Sequence, residues 1–275
     1  MTIRRFRWLT VVVACLAAVT VVSGHAAADI RPRPTIWPQP TPSPLPPITV
    51  MSVGDSQTKG TDGSTYASYR AELTRLMSMT GQPVTWVVQA VGGTKCSYWA
   101  ARMAGLLTTY QPDVVFLDCG TNDTPTDNTE ADYRTILAAV ASWNAAGHHT
   151  LLVAALIGQP DMDSPTNTIR PWIWDWMHST SLAIGRALAD YPSVAVADMV
   201  LVPNNIEWLQ SDGIHLTKRS EDAYGQMLYR AAAPRMGWQT IEQMRAQPMC
   251  GLSGHWRGTP WPTPDGVVYR ICTLA

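Results

Sequence analysis

Four short stretches of the chain carry the residue types from which acyl-transfer chemistry can be assembled. In Gly54-Asp55-Ser56 a serine follows an apolar run, Ile48–Val53. A serine hydroxyl is a poor nucleophile near neutral pH unless an imidazole lies within hydrogen-bond reach and a third group orients that imidazole. Far down the chain, "SDGIHLT" (Ser211–Thr217) places Asp212 and His215 three residues apart with Gly213 between them. That spacing lets one turn aim the carboxylate at a ring nitrogen. Acyl transfer also needs donors directed at the developing oxyanion. The side-chain amide of Asn122, in "GTND", and the backbone N–H groups around Gly92-Gly93-Thr94 are of that kind. Taken singly, each residue has a commoner explanation: Ser56 as a helix cap or turn residue, Asp212-Gly213 as an ordinary turn, Asn122 as a cap, His215 as a structural histidine. The combination favours chemistry.

These residues need a scaffold, and the pattern of the chain supplies one. Near-continuous apolar runs occur at Ile48–Val53, Val84–Val91, Asp113–Cys119, Thr150–Ile157 and, less regularly, Val194–Val200. Such runs are what strands covered on both faces look like. Between them lie stretches of helical period at Tyr66–Met79, Tyr98–Tyr110, Thr129–Ala146 and Trp172–Ala189. In the third, Tyr133, Ile136, Leu137 and Val140 form one apolar stripe, read as core. Alternating strand and helix implies right-handed crossovers and a parallel sheet between helical layers, an α/β fold. In such sheets ligands bind beyond the carboxyl ends of the strands. Gly54-Asp55-Ser56, Gly92-Gly93-Thr94 and Gly120–Asp123 all fall at such ends.

The four blocks, "GDSQT", "VGGT", "GTND" and "DGIH", resemble those of the SGNH hydrolases, the GDSL-like esterase/lipase superfamily, in the same order and spanning Gly54 to His215. The resemblance implies a three-layer α/β/α sandwich, flavodoxin-like, with a parallel sheet of about five strands. It implies Ser56 as nucleophile, His215 as general base and then acid, and Asp212 as the group orienting His215. It implies an oxyanion hole formed by the backbone N–H of Ser56, Gly93 and Asn122, with Gly93 preferred to Gly92 because it directly precedes a threonine. Gln57 stands where the family's name motif has leucine, a departure expected to leave the chemistry untouched. Asp55 and Asp123 are assigned to structural hydrogen bonding. His148, His149, His178 and His255 match no block and are read as surface or core residues.

The ends of the chain carry other information. Arg4, Arg5 and Arg7 precede an acid-free apolar run from Trp8 to Val22, and Ala26-Ala27-Ala28 gives the small-residue pattern of secretory cleavage. Residues 1–28 therefore read as a signal peptide, so the chain is expected to be secreted, with possible cell-envelope association and no stable membrane insertion after cleavage. The stretch 29–47, "DIRPRPTIWPQPTPSPLPP", is too rich in proline for helix or sheet and reads as a semi-rigid spacer. Residues 48–275 fit one domain of about 200–250 residues, including a Gly/Pro-rich tail at about 248–275.

Loss of the three signal-peptide arginines takes the formal net charge from −1 to −4, which gives no footing for nucleic acid. The four cysteines beyond the signal, Cys96, Cys119, Cys250 and Cys272, suggest disulfides in an oxidising compartment. Sequence leaves three pairings open; Cys96 with Cys119 and Cys250 with Cys272 is the favoured one. No Cys/His cluster has zinc-site spacing, so no metal is expected, and the serine mechanism needs no cofactor.

The expected activity is hydrolysis of carboxylic esters through a Ser-His-Asp acyl-enzyme. Trp172, Trp174 and Trp176 alternate after the polar loop Gln159–Pro171, and indole faces stack on sugar rings, which points to carbohydrate esters. Equally, in a chain with 12 Trp and 2 Phe, tryptophan can serve as the large packing residue. No long apolar lid-like helix stands between the blocks, which favours short acyl groups such as acetyl. The alternatives are O-acetyl transfer to an envelope sugar by the same triad, and a catalytically idle carbohydrate-binding protein of the same fold.

Overall fold

The computed structural model describes residues 45–60, 68–157, 171–199, 210 and 214–246, together with four two-residue strands in the C-terminal tail. All of these belong to a compact unit running from Ser43 to Ala275. Asp212, Cys250, the loop 158–170 and the expected signal peptide lie outside the described residues.

Five apolar runs form the strands β1 (Ile48–Gly54), β2 (Val84–Ala90), β3 (Val114–Asp118), β4 (Leu151–Ala155) and β5 (Ala195–Ala197). They assemble in the order β2-β1-β3-β4-β5, every neighbouring pair parallel. This is the flavodoxin-like order, in which the direction of winding reverses between β1 and β3 and leaves a crevice beyond their carboxyl ends.

Alternate residues of each strand feed different layers because successive side chains point to opposite faces. Val50, Val114, Phe116 and Val153 pack on one face, with Leu73, Leu76 and Met77 of α2 (Arg70–Met79) and Leu228 and Tyr229 of α7 (Lys218–Met236). Met51, Val53, Val115, Leu117 and Leu152 pack on the other. There they meet Cys96 and Trp99 of α3 (Cys96–Ala100), Met103 and Leu107 of α4 (Met103–Tyr110), Tyr133, Ile136, Leu137 and Val140 of α5 (Thr129–Ala145), and Ile184 of α6 (Pro171–Leu188). Each fully buried Leu, Ile, Phe or Met contributes about 1.5–3 kcal/mol, so the two apolar layers hold the sheet flat-side to helix on both faces. The α5 stripe is core, as its period predicts.

Three elements depart from the sequence expectation. The stretch Tyr98–Tyr110 is two helices: Arg102 N–H returns to Trp99 O at 3.0 Å in a tightened last turn of α3, while its guanidinium lies 3.5 Å from the Tyr98 ring centroid. The second helix, α2, begins only at Arg70, because Ser68 takes a left-handed φ of 58°. Beyond the last apolar run, α7 packs over β4 and β5, and α8 (Ile241–Ala246) adds Ile241 to the same apolar layer. In the tail, β6 (His255–Trp256) pairs antiparallel with β9 (Cys272–Thr273), and β7 (Trp261–Pro262) with β8 (Val268–Tyr269).

Candidate active site

Ser56 sits in the crevice at the β1/β3 reversal, as the first residue of α1 (Ser56–Lys59). The turn that presents it depends on Gly54, which is paired in register with Asp118 of β3. A Cβ at Gly54 would stand 2.2 Å from the Asp118 carbonyl oxygen and 2.2 Å from Thr58 Oγ1. The glycine is there because two strands and a helix start converge on one point, not because of a left-handed backbone.

Asp55 is wholly buried and caps α1: its Oδ1 accepts the Gln57 N–H at 2.9 Å. Its other oxygen accepts from Asn122 Nδ2 at 3.0 Å. Beneath this turn a second buried network forms. Thr58 Oγ1 donates to Asp118 Oδ2 at 3.2 Å, lies 3.1 Å from the Tyr69 hydroxyl, and the Tyr224 hydroxyl also bonds Asp118. The buried Arg70 guanidinium donates to the carbonyls of Thr58 and Lys59, so the C-terminal end of α1 is tied to the start of α2. Ser56 thus stands on a short helix fixed at both ends, and its own side chain is half-buried at the surface.

Burial shapes the charges below. It pushes the Asp55 carboxyl well above its ordinary range, with the nearby Asp118 adding to the effect and the donors Gln57 N–H and Asn122 opposing it. Burial likewise pushes Asp118 up to about 6, against the pull of the Tyr224 and Thr58 hydroxyls.

The glycine block forms a tight turn closed by Thr94 N–H to Val91 O at 3.3 Å, with Gly93 at φ 76°, the conformation a type II turn requires at its third position. Gly92 is the member nearest the serine: a Cβ built on it would lie 3.8 Å from Ser56 Cβ, whereas one on Gly93 would meet nothing within 4 Å. Among the described residues neither glycine N–H has an acceptor. The loop after β3 packs against this turn. Asn122 Nδ2 donates to Thr94 O at 3.2 Å as well as to Asp55, so both of its N–H groups are engaged. Asp123 bridges the two loops by accepting Cys96 N–H at 2.9 Å and Thr129 Oγ1 at 2.7 Å. A disulfide between the buried Cys96 and Cys119, Cα atoms 5.2 Å apart, joins the start of α3 to the residue after β3. The glycine block and the asparagine block are therefore one stapled unit.

His215 lies just ahead of α7, in a segment that α1 holds directly. Gln57 Nε2 donates to Ile214 O at 2.7 Å, and Gln57 Oε1 accepts Leu216 N–H at 3.4 Å. Gln210 adds two further contacts: its N–H donates to His215 O at 2.7 Å and its Nε2 to Leu216 O at 2.9 Å. Among the described residues none is hydrogen-bonded to the Ser56 hydroxyl, His215 included. The Asp212 carboxylate and the first part of α6, with Trp172 and Trp174, fall outside what the structure describes at side-chain level. Trp176 is half-buried on α6. Sequence reasoning missed Gln57, Gln210 and the Asp118–Thr58–Tyr69 network; the one signal for the first was its departure from leucine.

Residues 52–223 match the GDSL-like lipase/acylhydrolase family. The chain belongs to that family. It is a carboxylic ester hydrolase. No curated protein sequence matches it. Solved structures of the same fold include a family 3 carbohydrate esterase from Clostridium thermocellum, 20% identical, with a TM-score of 0.55 over 73% of this chain and 98% of that one. A psychrotrophic esterase, EstA, from Pseudoalteromonas sp., inhibited by monoethylphosphonate in its structure, is 16% identical, with a TM-score of 0.53 over 69% of this chain and 99% of that one. The acetyl xylan esterase AlAXEase is 20% identical, with a TM-score of 0.50 over 66% of this chain and 98% of that one. In each case the family member described here covers nearly the whole of the relative and keeps additional residues of its own.

Proposed function

We propose that the protein is an exported serine esterase that removes short acyl groups, acetyl above all, from carbohydrate, with Ser56, His215 and Asp212 as its triad. The observation that carries this reading is the position of Ser56: at the β1/β3 reversal, 3.8 Å from the Gly92 Cβ direction and on the helix whose next residue grips the His215 segment. Ser56 Oγ adds to the ester carbonyl carbon as its proton passes to the His215 imidazole, and the carbonyl electron pair moves onto oxygen. Collapse of this tetrahedral species breaks the ester C–O bond, and the imidazolium returns the proton to the departing sugar oxygen. Water then repeats both steps on the acyl-enzyme, releasing the carboxylic acid and restoring Ser56.

Donors for the oxyanion come from the Ser56 N–H, the glycine turn and Asn122. Asn122 takes up this role by releasing one of its two present acceptors, Asp55 or the Thr94 carbonyl. The acetyl-carbohydrate preference is supported by two structures of the same fold, a carbohydrate esterase and an acetyl xylan esterase, and by the tryptophan-rich start of α6. The test is a chain-length series of p-nitrophenyl esters together with acetate release from acetylated xylan. The expected result is the highest kcat/KM on acetate, loss of activity toward octanoate, acetate released from the polysaccharide, and a drop of at least about 10⁴-fold for Ser56→Ala. Preference for octanoate with no release from xylan would contradict the substrate assignment.

A further inference from the structure

We propose that Gln57 is the positioning residue for His215, so that the residue following the nucleophile, on the nucleophile's own helix, sets where the base stands. The inference deepens the triad reading and rests on His215 being the base.

The geometry has three parts. Gln57 is itself fixed, because its N–H is capped by Asp55 Oδ1 at 2.9 Å on a helix anchored below by Arg70. Its carboxamide then contacts the main chain on both sides of the histidine: Nε2 to Ile214 O at 2.7 Å, Oε1 to Leu216 N–H at 3.4 Å. The one side-chain amide therefore holds the residues on both flanks of His215, while the His215 carbonyl accepts Gln210 N–H at 2.7 Å. Two glutamines hold one residue from two sides, and only Gln57 comes from the element that also carries Ser56.

The consequence is a direct link between the nucleophile's helix and the base's segment, made by Gln57 and Ile214, 157 residues apart in sequence. A leucine at this place fills space but reaches neither Ile214 O nor Leu216 N–H, since it has no donor or acceptor. The base would then lose its tie to the nucleophile's helix, and a displacement of about 1 Å costs on the order of 10²-fold in rate. Binding of the ester is a separate matter and is left nearly unchanged.

The experiment measures kcat and KM on p-nitrophenyl acetate, with melting temperature, for the full chain and for Gln57→Leu, His215→Ala and the double variant. The expected outcome is a fall in kcat of about 10–100-fold for Gln57→Leu with KM within about threefold. The double variant should be no slower than His215→Ala, because a residue that acts through the imidazole has nothing to position once it is gone. A near wild-type kcat for Gln57→Leu, or a double variant that loses the full Gln57 factor on top of His215→Ala, overturns the proposal while leaving the triad intact. A fully active His215→Ala overturns the triad reading, and this inference with it. Gln57→Glu gives an independent readout where leucine impairs folding. Its protonated carboxyl still donates to Ile214 O and its carboxylate does not, so its kcat relative to wild type should fall as pH rises through the carboxyl range, about 4–6. A pH-independent ratio contradicts the donor role.

Discussion

The chemistry of the site is decided by which buried polar atoms are already engaged and which are left over. Asn122 illustrates this: both of its N–H groups have acceptors before any ester arrives, so its contribution to the oxyanion must be an exchange of partners. If the exchange occurs, Asn122→Ala should lower kcat by roughly 10²–10³-fold with KM nearly unchanged, because the charge it serves develops only after attack. A pure linker role predicts early melting with near-normal turnover, so kinetics and melting on one preparation separate the two. Asp118 makes a second prediction at this scale. With its folded value raised to about 6 by burial, the folded protein keeps that proton at a pH where the unfolded chain has released it. Folding stability therefore falls as pH rises from about 4 to about 6. Asp118→Asn has no such proton to lose, so its melting temperature relative to wild type should climb by several degrees over that window. A constant difference contradicts the assignment. The placing of Ser56, the glycine pair and Asn122 at neighbouring strand ends was legible, because an apolar run stops just ahead of each. Gln57 and the Asp118 network were not, because their roles depend on partners up to 159 residues away that sequence spacing does not reveal.

At the scale of elements, the strands were the most legible feature, since continuous apolar runs admit few other readings in an α/β chain. Their ends also placed the blocks. What sequence did not disclose is decided by local contacts: α3 ends where Arg102 N–H turns back to Trp99 O and the Arg102 guanidinium takes the Tyr98 carbonyl at 2.9 Å, and α7 reads poorly because its buried face relies on alanine and tyrosine, at Tyr224, Tyr229, Ala232 and Ala233. Two of the site's loops behave as one element because the Cys96–Cys119 disulfide and Asp123 join them. Closing a loop of 23 residues is worth about 3 kcal/mol in the chain-entropy model. The paired substitution Cys96→Ala with Cys119→Ala should lower stability by about that amount and reduce kcat, since the glycine and asparagine donors lose their common anchor. Unchanged melting would show that the bridge is dispensable to the fold. Gly54→Ala is the harsher test of the strand convergence, with an expected cost of about 3 kcal/mol or more, because its Cβ would collide with the Asp118 carbonyl.

Over the whole molecule, the family match ends at residue 223 and the described fold continues through α7 and α8 into paired strands of the tail. The proposal of export makes its own prediction: N-terminal sequencing of the secreted product should begin at Asp29, and a product that starts at the initiator methionine would contradict it. The central claim is that all of this architecture presents a single activated hydroxyl. A fluorophosphonate probe followed by peptide mapping of the native protein tests it most directly. The account predicts one adduct, on Ser56, formed at a rate that His215→Ala slows by orders of magnitude and that Ser56→Ala abolishes. An adduct on another residue that persists in Ser56→Ala, with ester hydrolysis retained, would contradict it.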